Sequence, residues 1–191
     1  MFQKKKLTKE QKEVRALKAQ LPLAKPKKRG MENHTVAQLM SPTGYGTKWH
    51  SRYIRLRDST FNGREWVGEC IDQCGRQLVV VDADGKWTSS TNEGHFISRS
   101  VYSLRYNELN TNLQGAWCNA WRDKEDMQEG YRRGLALKYG EDTVDELKRL
   151  SKLPDAYKKP SKAEILSMIA DCKEYVEYRL AHANGHIDTR S

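Results

Sequence analysis

Apolar positions along this chain recur with two different periods, and the switches between them outline its elements. In GTKWHSRYIRLRD, residues 46–58, Trp49, Tyr53 and Leu56 fall at i, i+4 and i+7, which predicts an amphipathic helix with an inward aromatic stripe. Downstream, WVGECIDQCG and RQLVVVDADG carry short β-branched runs closed by Cys-Gly and Asp-Gly turns, so residues 66–85 read as strands. An extended segment resumes at Glu93–Ile97, and Tyr102, Leu104 and Tyr106 alternate ahead of an asparagine-rich loop. From Asn119 the period is helical. One helix covers Tyr131–Tyr139 and stops at Gly140, and another covers Asp142–Leu150 with Val144 and Leu147 inward. Ser161 and Glu164 form a capping box for a last helix with the stripe Ile165, Ile169, Cys172, Val176 and Leu180, ending at Asn184-Gly185. Cys172 belongs to that stripe as a packing residue. The elements together predict an α+β fold: a small hairpin–helix core within a mainly helical frame.

The N-terminal stretch differs from this body. Thr8 and Gln11 open a short helical pattern to about Gln20, and Pro22 and Pro26 end it in a linker. The expected divisions are an arm and linker at 1–41, a core with its preceding helix at 42–130, a helical region at 131–185 and a tail at 186–191. Of the net charge of +9, all resides in residues 1–29, which hold eleven Lys and Arg against Glu10 and Glu13. A basic arm on a balanced body predicts salt-sensitive contact with a phosphate backbone, through Lys4, Lys5, Lys6, Lys27, Lys28 and Arg29. Arg52, Arg55, Arg99, Arg105 and Arg122 are candidates for the same role in the body.

Hydrophobic residues make up 37% of the chain and the mean hydropathy is −0.87, so a soluble protein with a modest core is expected. No apolar run approaches the roughly 20 residues of a membrane span. The N-terminus has no apolar signal region, so the protein is expected to stay where it is made. Cys70, Cys74, Cys118 and Cys172 are too few and too scattered for a disulfide framework, and reduced thiols follow.

The candidate chemistry lies between Glu93 and Asp123. His95, Asn110 and Asn119 have the order and approximate spacing of an HNH nuclease site, in which a β-hairpin and a helix hold one divalent metal between them. A histidine largely neutral at pH 7 serves as a general base towards water. Asn119 offers a carbonyl oxygen to a hard cation, Asp123 four residues on adds a carboxylate, and Glu93 is a further ligand or a support for one. Asn110 would brace the loop and orient His95, because an amide donates and accepts at once. The bland alternative is equally plain: a structural histidine among asparagines that favour turns. Cys70-x3-Cys74 and Cys118 resemble a zinc knuckle, but a closed structural zinc site takes four ligands and Gly115 stands where a fourth cysteine would fall. Either His50 completes that site or apolar packing replaces the zinc, and packing is the expectation.

From Trp49 to about His182, roughly two-thirds of the sequence, the chain resembles the NinG (Rap) family of lambdoid-phage recombination nucleases. The matching pieces are YIRLRD, ECIDQCG, EGHF, LRYNELN, CNAW, YRRGLALKYGEDTVDELKRL and AEILSMIADCKEYVEYRL. The resemblance implies an endonuclease dependent on Mg²⁺ or Mn²⁺, one ion per site, that cuts branched recombination intermediates such as Holliday junctions and D-loops. It also implies the cytoplasm of an infected bacterial host. Its partner would be branched or single-strand-containing DNA, and a homodimer would suit a symmetric junction. His95 matches the family's Gly-His, Asn110 its loop asparagine and Asn119 the residue after its last cysteine. Two departures stand out: one CxxxC and a single Cys replace two CxxC pairs, and Ala120-Trp121-Arg122 follows Cys-Asn. The alternatives are a branched-DNA-binding protein that keeps the fold without catalysis, and a basic-armed scaffold for a protein partner.

Overall fold

Two helices far apart in sequence pack together to frame the molecule. The structure, a computed structural model, describes residues 30–120 and 124–183. The expected arm helix and its lysines fall outside them. Helix α1 (Val36–Leu39) is opened by a Thr35–Gln38 capping box. Helix α2 spans Tyr45–Arg57 and buries Gly46, His50, Ile54 and Leu56. Its partner, the last helix α6 (Lys162–Ala181), starts at the predicted Ser161–Glu164 capping box and buries Ile165, Ile169, Cys172 and Val176. Leu180, also expected on that stripe, is 36% exposed because the helix ends at Ala181.

Between these helices the chain forms two small antiparallel sheets. Strands β1 (Ser59–Phe61), β2 (Trp66–Glu69) and β3 (Gln77–Val81) make a sheet in sequential order, with a register shift at Trp66/Val67. Strands β4 (Thr91–His95) and β5 (Thr111–Gly115) form a separate hairpin in which Thr91 faces Gly115 and His95 faces Thr111. Helix α3 (Ala116–Ala120) follows β5 directly. Helices α4 (Lys124–Tyr139) and α5 (Glu141–Leu150) come next, separated by Gly140 at φ 95°. The α+β class is as expected. The second strand of the hairpin, however, is Thr111–Gly115, and the alternating Tyr102–Leu104 segment is a 3-10 turn.

Three apolar clusters hold these pieces. One joins the three-stranded sheet to Leu56, Leu113, Cys118 and Val176. A second sets Tyr131, Leu135, Val144 and Leu147 of α4 and α5 against Ile71, Val101 and Leu104. The third packs Leu39 and Met40 on Ile165 and Ile169. The compact unit therefore begins at Met31, ahead of the expected boundary near residue 42, because Leu39 is fully buried against the last helix. It also runs through the expected division at residue 130, since Tyr131 donates to the Gly94 carbonyl at 2.9 Å.

Helix α4 approaches the turn between β2 and β3 so closely that a Cβ at Gly134 would overlap the Ile71 carbonyl group. Alanine favours a helix over glycine by about 1 kcal/mol, but here overpacking outweighs that. Gly134→Ala should lower stability by about 2 kcal/mol, read as a lower urea midpoint with an unchanged slope.

Candidate functional site

Strand β4 with the loop after it, α2 and α3 border a cleft of about 370 Å³ whose lining includes Thr47, Glu93, His95, Ser98, Arg99 and Asn119. Three residues predicted to act together, Glu93, His95 and Asn119, therefore meet in one place. Strand alternation explains the first two, because residues two apart on β4 share a face. Asn119 arrives from the exposed side of α3, whose other side is anchored by fully buried Cys118. Larger hollows beside Arg57–Lys138 and Tyr102–Lys159 gather no such set.

The histidine is held in one tautomer. His95 Nε2 lies 2.9 Å from the Arg105 carbonyl, which can only accept, so Nε2 carries the hydrogen and Nδ1 keeps its lone pair. Burial pushes the His95 pKa below the usual histidine value, against the opposing pull of Glu93 and the Arg105 carbonyl. The imidazole is thus neutral and basic near neutral pH.

Asn110 does not line the cleft; it is fully buried beneath the loop that joins the two strands. Its Oδ1 accepts from the Ile97 amide at 2.7 Å, and its Nδ2 donates to the carbonyls of Ile97 at 3.0 Å and Leu104 at 2.9 Å. That fixes the peptide next to the Arg105 carbonyl and so the acceptor of His95. Its role is the bracing one that the sequence suggested.

Several expected positions are used otherwise. Arg55 donates to the carbonyls of Thr88 and Thr91 and stacks on Trp87 at 4.8 Å, tying α2 to the hairpin rather than facing solvent. Arg105 donates to the Met40 carbonyl. Both guanidinium groups, expected at phosphates, serve the fold. Arg52 lies between Trp49 and Trp87, 5.2 and 5.1 Å from their rings, while Arg99 is exposed at the cleft. Arg122 and Asp123 fall outside the described residues, as do Lys4, Lys5, Lys6, Lys27, Lys28 and Arg29.

His50 contributes a contact that local sequence pattern does not announce. It is 1% exposed, and its Nδ1 lies 2.6 Å from Glu93 Oε1. It lies outside the group formed by Cys70, Cys74 and Cys118 and so is not that group's fourth ligand. No periodic signal links residues 43 positions apart.

The sulfur atoms of Cys70, Cys74 and Cys118 all lie within 4.8 Å of one another and could hold a metal ion. Ligand sulfurs around tetrahedral zinc sit about 3.8 Å apart, given Zn–S bonds of about 2.3 Å, so three corners of such a site are nearly in place. The Gly115 amide donates to Cys70 Sγ at 3.3 Å, as thiolates favour. Burial raises the Cys70 and Cys118 pKa values; at Cys74 burial is the largest single effect, but the Arg76 amide, the Cys118 and Cys70 thiols and the Arg76 charge together outweigh it and lower the pKa. A Cβ at Gly115 would lie 3.9 Å from both Cys70 Sγ and Cys118 Sγ, with no contact closer than 3.4 Å. The missing ligand of the sequence pattern thus corresponds to the open corner of the cluster. Cys70 and Cys118 lie in the apolar core with Cys74 packed against it, and the same three sulfurs could hold a metal ion.

In comparisons with known proteins, neither family models, curated sequences nor solved structures match this chain.

Two measurements follow from this geometry. Asn110→Ala strips partners from three loop backbone groups and should cost about 3 kcal/mol, measured by chemical unfolding. With Zn²⁺ added as a probe, Gly115→Cys should release it to a chelator several-fold more slowly than the parent protein does, read with a colorimetric zinc indicator.

Proposed function

We propose that this protein is a divalent-cation-dependent endonuclease that cuts branched DNA at the cleft bordered by β4, α2 and α3. The observation that carries this reading is the convergence of Glu93, His95 and Asn119 on one polar cleft, with Arg99 at its rim. A hairpin followed by a helix, with a histidine at the end of its first strand and an amide on the helix, supports the HNH-like reading of the sequence.

The donor set fits a hard cation. Glu93 offers a carboxylate and Asn119 an amide carbonyl, and oxygen ligands suit Mg²⁺ or Mn²⁺. When bound there, the ion supplies Lewis-acid stabilisation of charge on the phosphodiester and its leaving oxygen. The chain does the rest. His95 Nδ1 takes a proton from the attacking water, while the Nε2 hydrogen bond to Arg105 keeps that lone pair free. Asn110 holds the Arg105 segment still, and Arg99 meets a phosphate oxygen. Such backbone contacts orient a duplex without reading bases, which suits recognition of shape. The basic segment 1–29 adds charge for the DNA arms.

The test uses a labelled four-way DNA junction with Mg²⁺ or Mn²⁺, against EDTA. Cleavage should require the cation, and His95→Ala should reduce it by about a thousandfold or more while junction binding in a gel shift stays close to the parental level. Asn119→Ala, at an exposed position, should raise the cation concentration needed without altering the melting temperature. Binding with no cation-dependent product would overturn catalysis in favour of a branched-DNA-binding protein. Parental cleavage by His95→Ala would remove the histidine from the mechanism.

A further inference from the structure

We infer that His50 is a positioning residue for Glu93, holding that carboxylate in place for the cation of the cleft; the inference rests on the cation-dependent reading above. His50 belongs to α2, whose Thr47 and Ser51 line the cleft, but His50 itself is buried behind that lining. Its side chain is 2% exposed and the Glu93 side chain 6%. Burying both polar groups away from water is costly unless they satisfy one another, and their contact of 2.6 Å does so. The carboxylate accepts, so His50 Nδ1 carries the hydrogen.

The rest of the ring makes the purpose narrower. His50 Nε2 is buried and has no hydrogen-bond partner among the described residues. An apolar side chain of similar size would fill this space without leaving that nitrogen unsatisfied. The imidazole therefore earns its place through the Nδ1 contact. Among the described residues this is the hydrogen bond that reaches the Glu93 carboxylate, and it engages Oε1. His95 Nε2 stands 3.7 Å from the same oxygen, but its hydrogen is committed to the Arg105 carbonyl. Without His50 the carboxylate would lose its hydrogen-bond donor and be drawn towards the charge of Arg55, which interacts with Glu93 through space. Supports of this kind orient a ligand and typically contribute tenfold to a hundredfold in metal affinity.

The experiment measures Mn²⁺ binding to the full-length protein by calorimetry, alongside junction cleavage and melting temperature. His50→Leu should weaken Mn²⁺ binding by about tenfold or more. His50→Asn, whose amide can donate from near the Nδ1 position, should restore most of that affinity. On a Glu93→Gln background, His50→Leu should add no further loss, because the two act as one unit. Parental Mn²⁺ affinity in His50→Leu would overturn the inference while leaving the nuclease reading intact. So would a lower melting temperature in both His50 variants with Mn²⁺ affinity unchanged, the result expected of a purely structural histidine. A parent protein that binds Mn²⁺ but cuts no junction would overturn the nuclease reading alone, with the affinity series still deciding the role of His50. No Mn²⁺ binding by the parent would overturn both.

Discussion

The chain between β4 and β5 must fold back on itself over buried Val101 and Leu104, and one buried amide, Asn110, makes that arrangement stable. Asn110 supplies an acceptor and two donor hydrogens to peptide groups of Ile97 and Leu104. It replaces the ladder partners that a strand would have given them. The backbone of Asn110 is held in turn, since its carbonyl accepts from the Phe96 amide at 3.0 Å and lies 3.3 Å from the Tyr131 hydroxyl, whose hydrogen goes to Gly94. Loop, hairpin and α4 thus share one buried residue. The tautomer of His95 is set at the end of that chain of contacts, through the Arg105 carbonyl.

The same economy shapes β5, whose five residues are all buried although three of them are Thr111, Asn112 and Gln114. A strand like this is stable only if each polar group finds a partner. Asn112 Oδ1 receives Arg57, Lys138 and the Tyr139 hydroxyl, and Gln114 Nε2 donates to both Asp72 oxygens. Asp58 takes Arg57, Lys138 and the Leu113 amide. Desolvation alone would raise the Asp58 pKa, yet the hydrogen bonds and charge of Arg57 and Lys138 hold it below the ordinary value. The end of α2 is therefore an ionic clamp on the hairpin, and removing one member would leave the others charged in a poor solvent.

This polar interior explains which features were legible beforehand. Apolar periodicity located α2, α5, α6 and the Val-rich β3, because in those elements burial is apolar and follows the period of the backbone. It failed at TNLQG, where the buried positions are polar, and the asparagines read as a turn. Tyr102, Leu104 and Tyr106 show strand-like spacing, but tertiary contacts fold them as a 3-10 turn over α6 and the loop. Arg52 and Arg55 of α2 read as candidates for phosphate contact. Arg55 and Arg57 instead bind carbonyls that belong to distant segments, and such pairings leave no trace in local spacing. The cleft was readable because His95, Asn119 and Glu93 come from one continuous stretch of chain, while His50 comes from elsewhere.

The thiol cluster and the cleft are joined through α3. Five residues cannot sustain a helix on their own, since the first turn orders several residues for a single hydrogen bond. Its stability must come from contacts, and Cys118 provides them by burying its sulfur beside Cys70 and Cys74. Asn119 is the next residue and faces the opposite way, into the cleft. An ion held by the three sulfurs would bind only the folded arrangement of α3 and the Cys70–Cys74 turn, and so would favour it by mass action. The side chain that faces the proposed cation would then owe its position to a second metal that never touches the substrate. In that design the open corner at Gly115 matters for function even though it lies behind the site, because whatever loosens the sulfurs also loosens the amide that follows them.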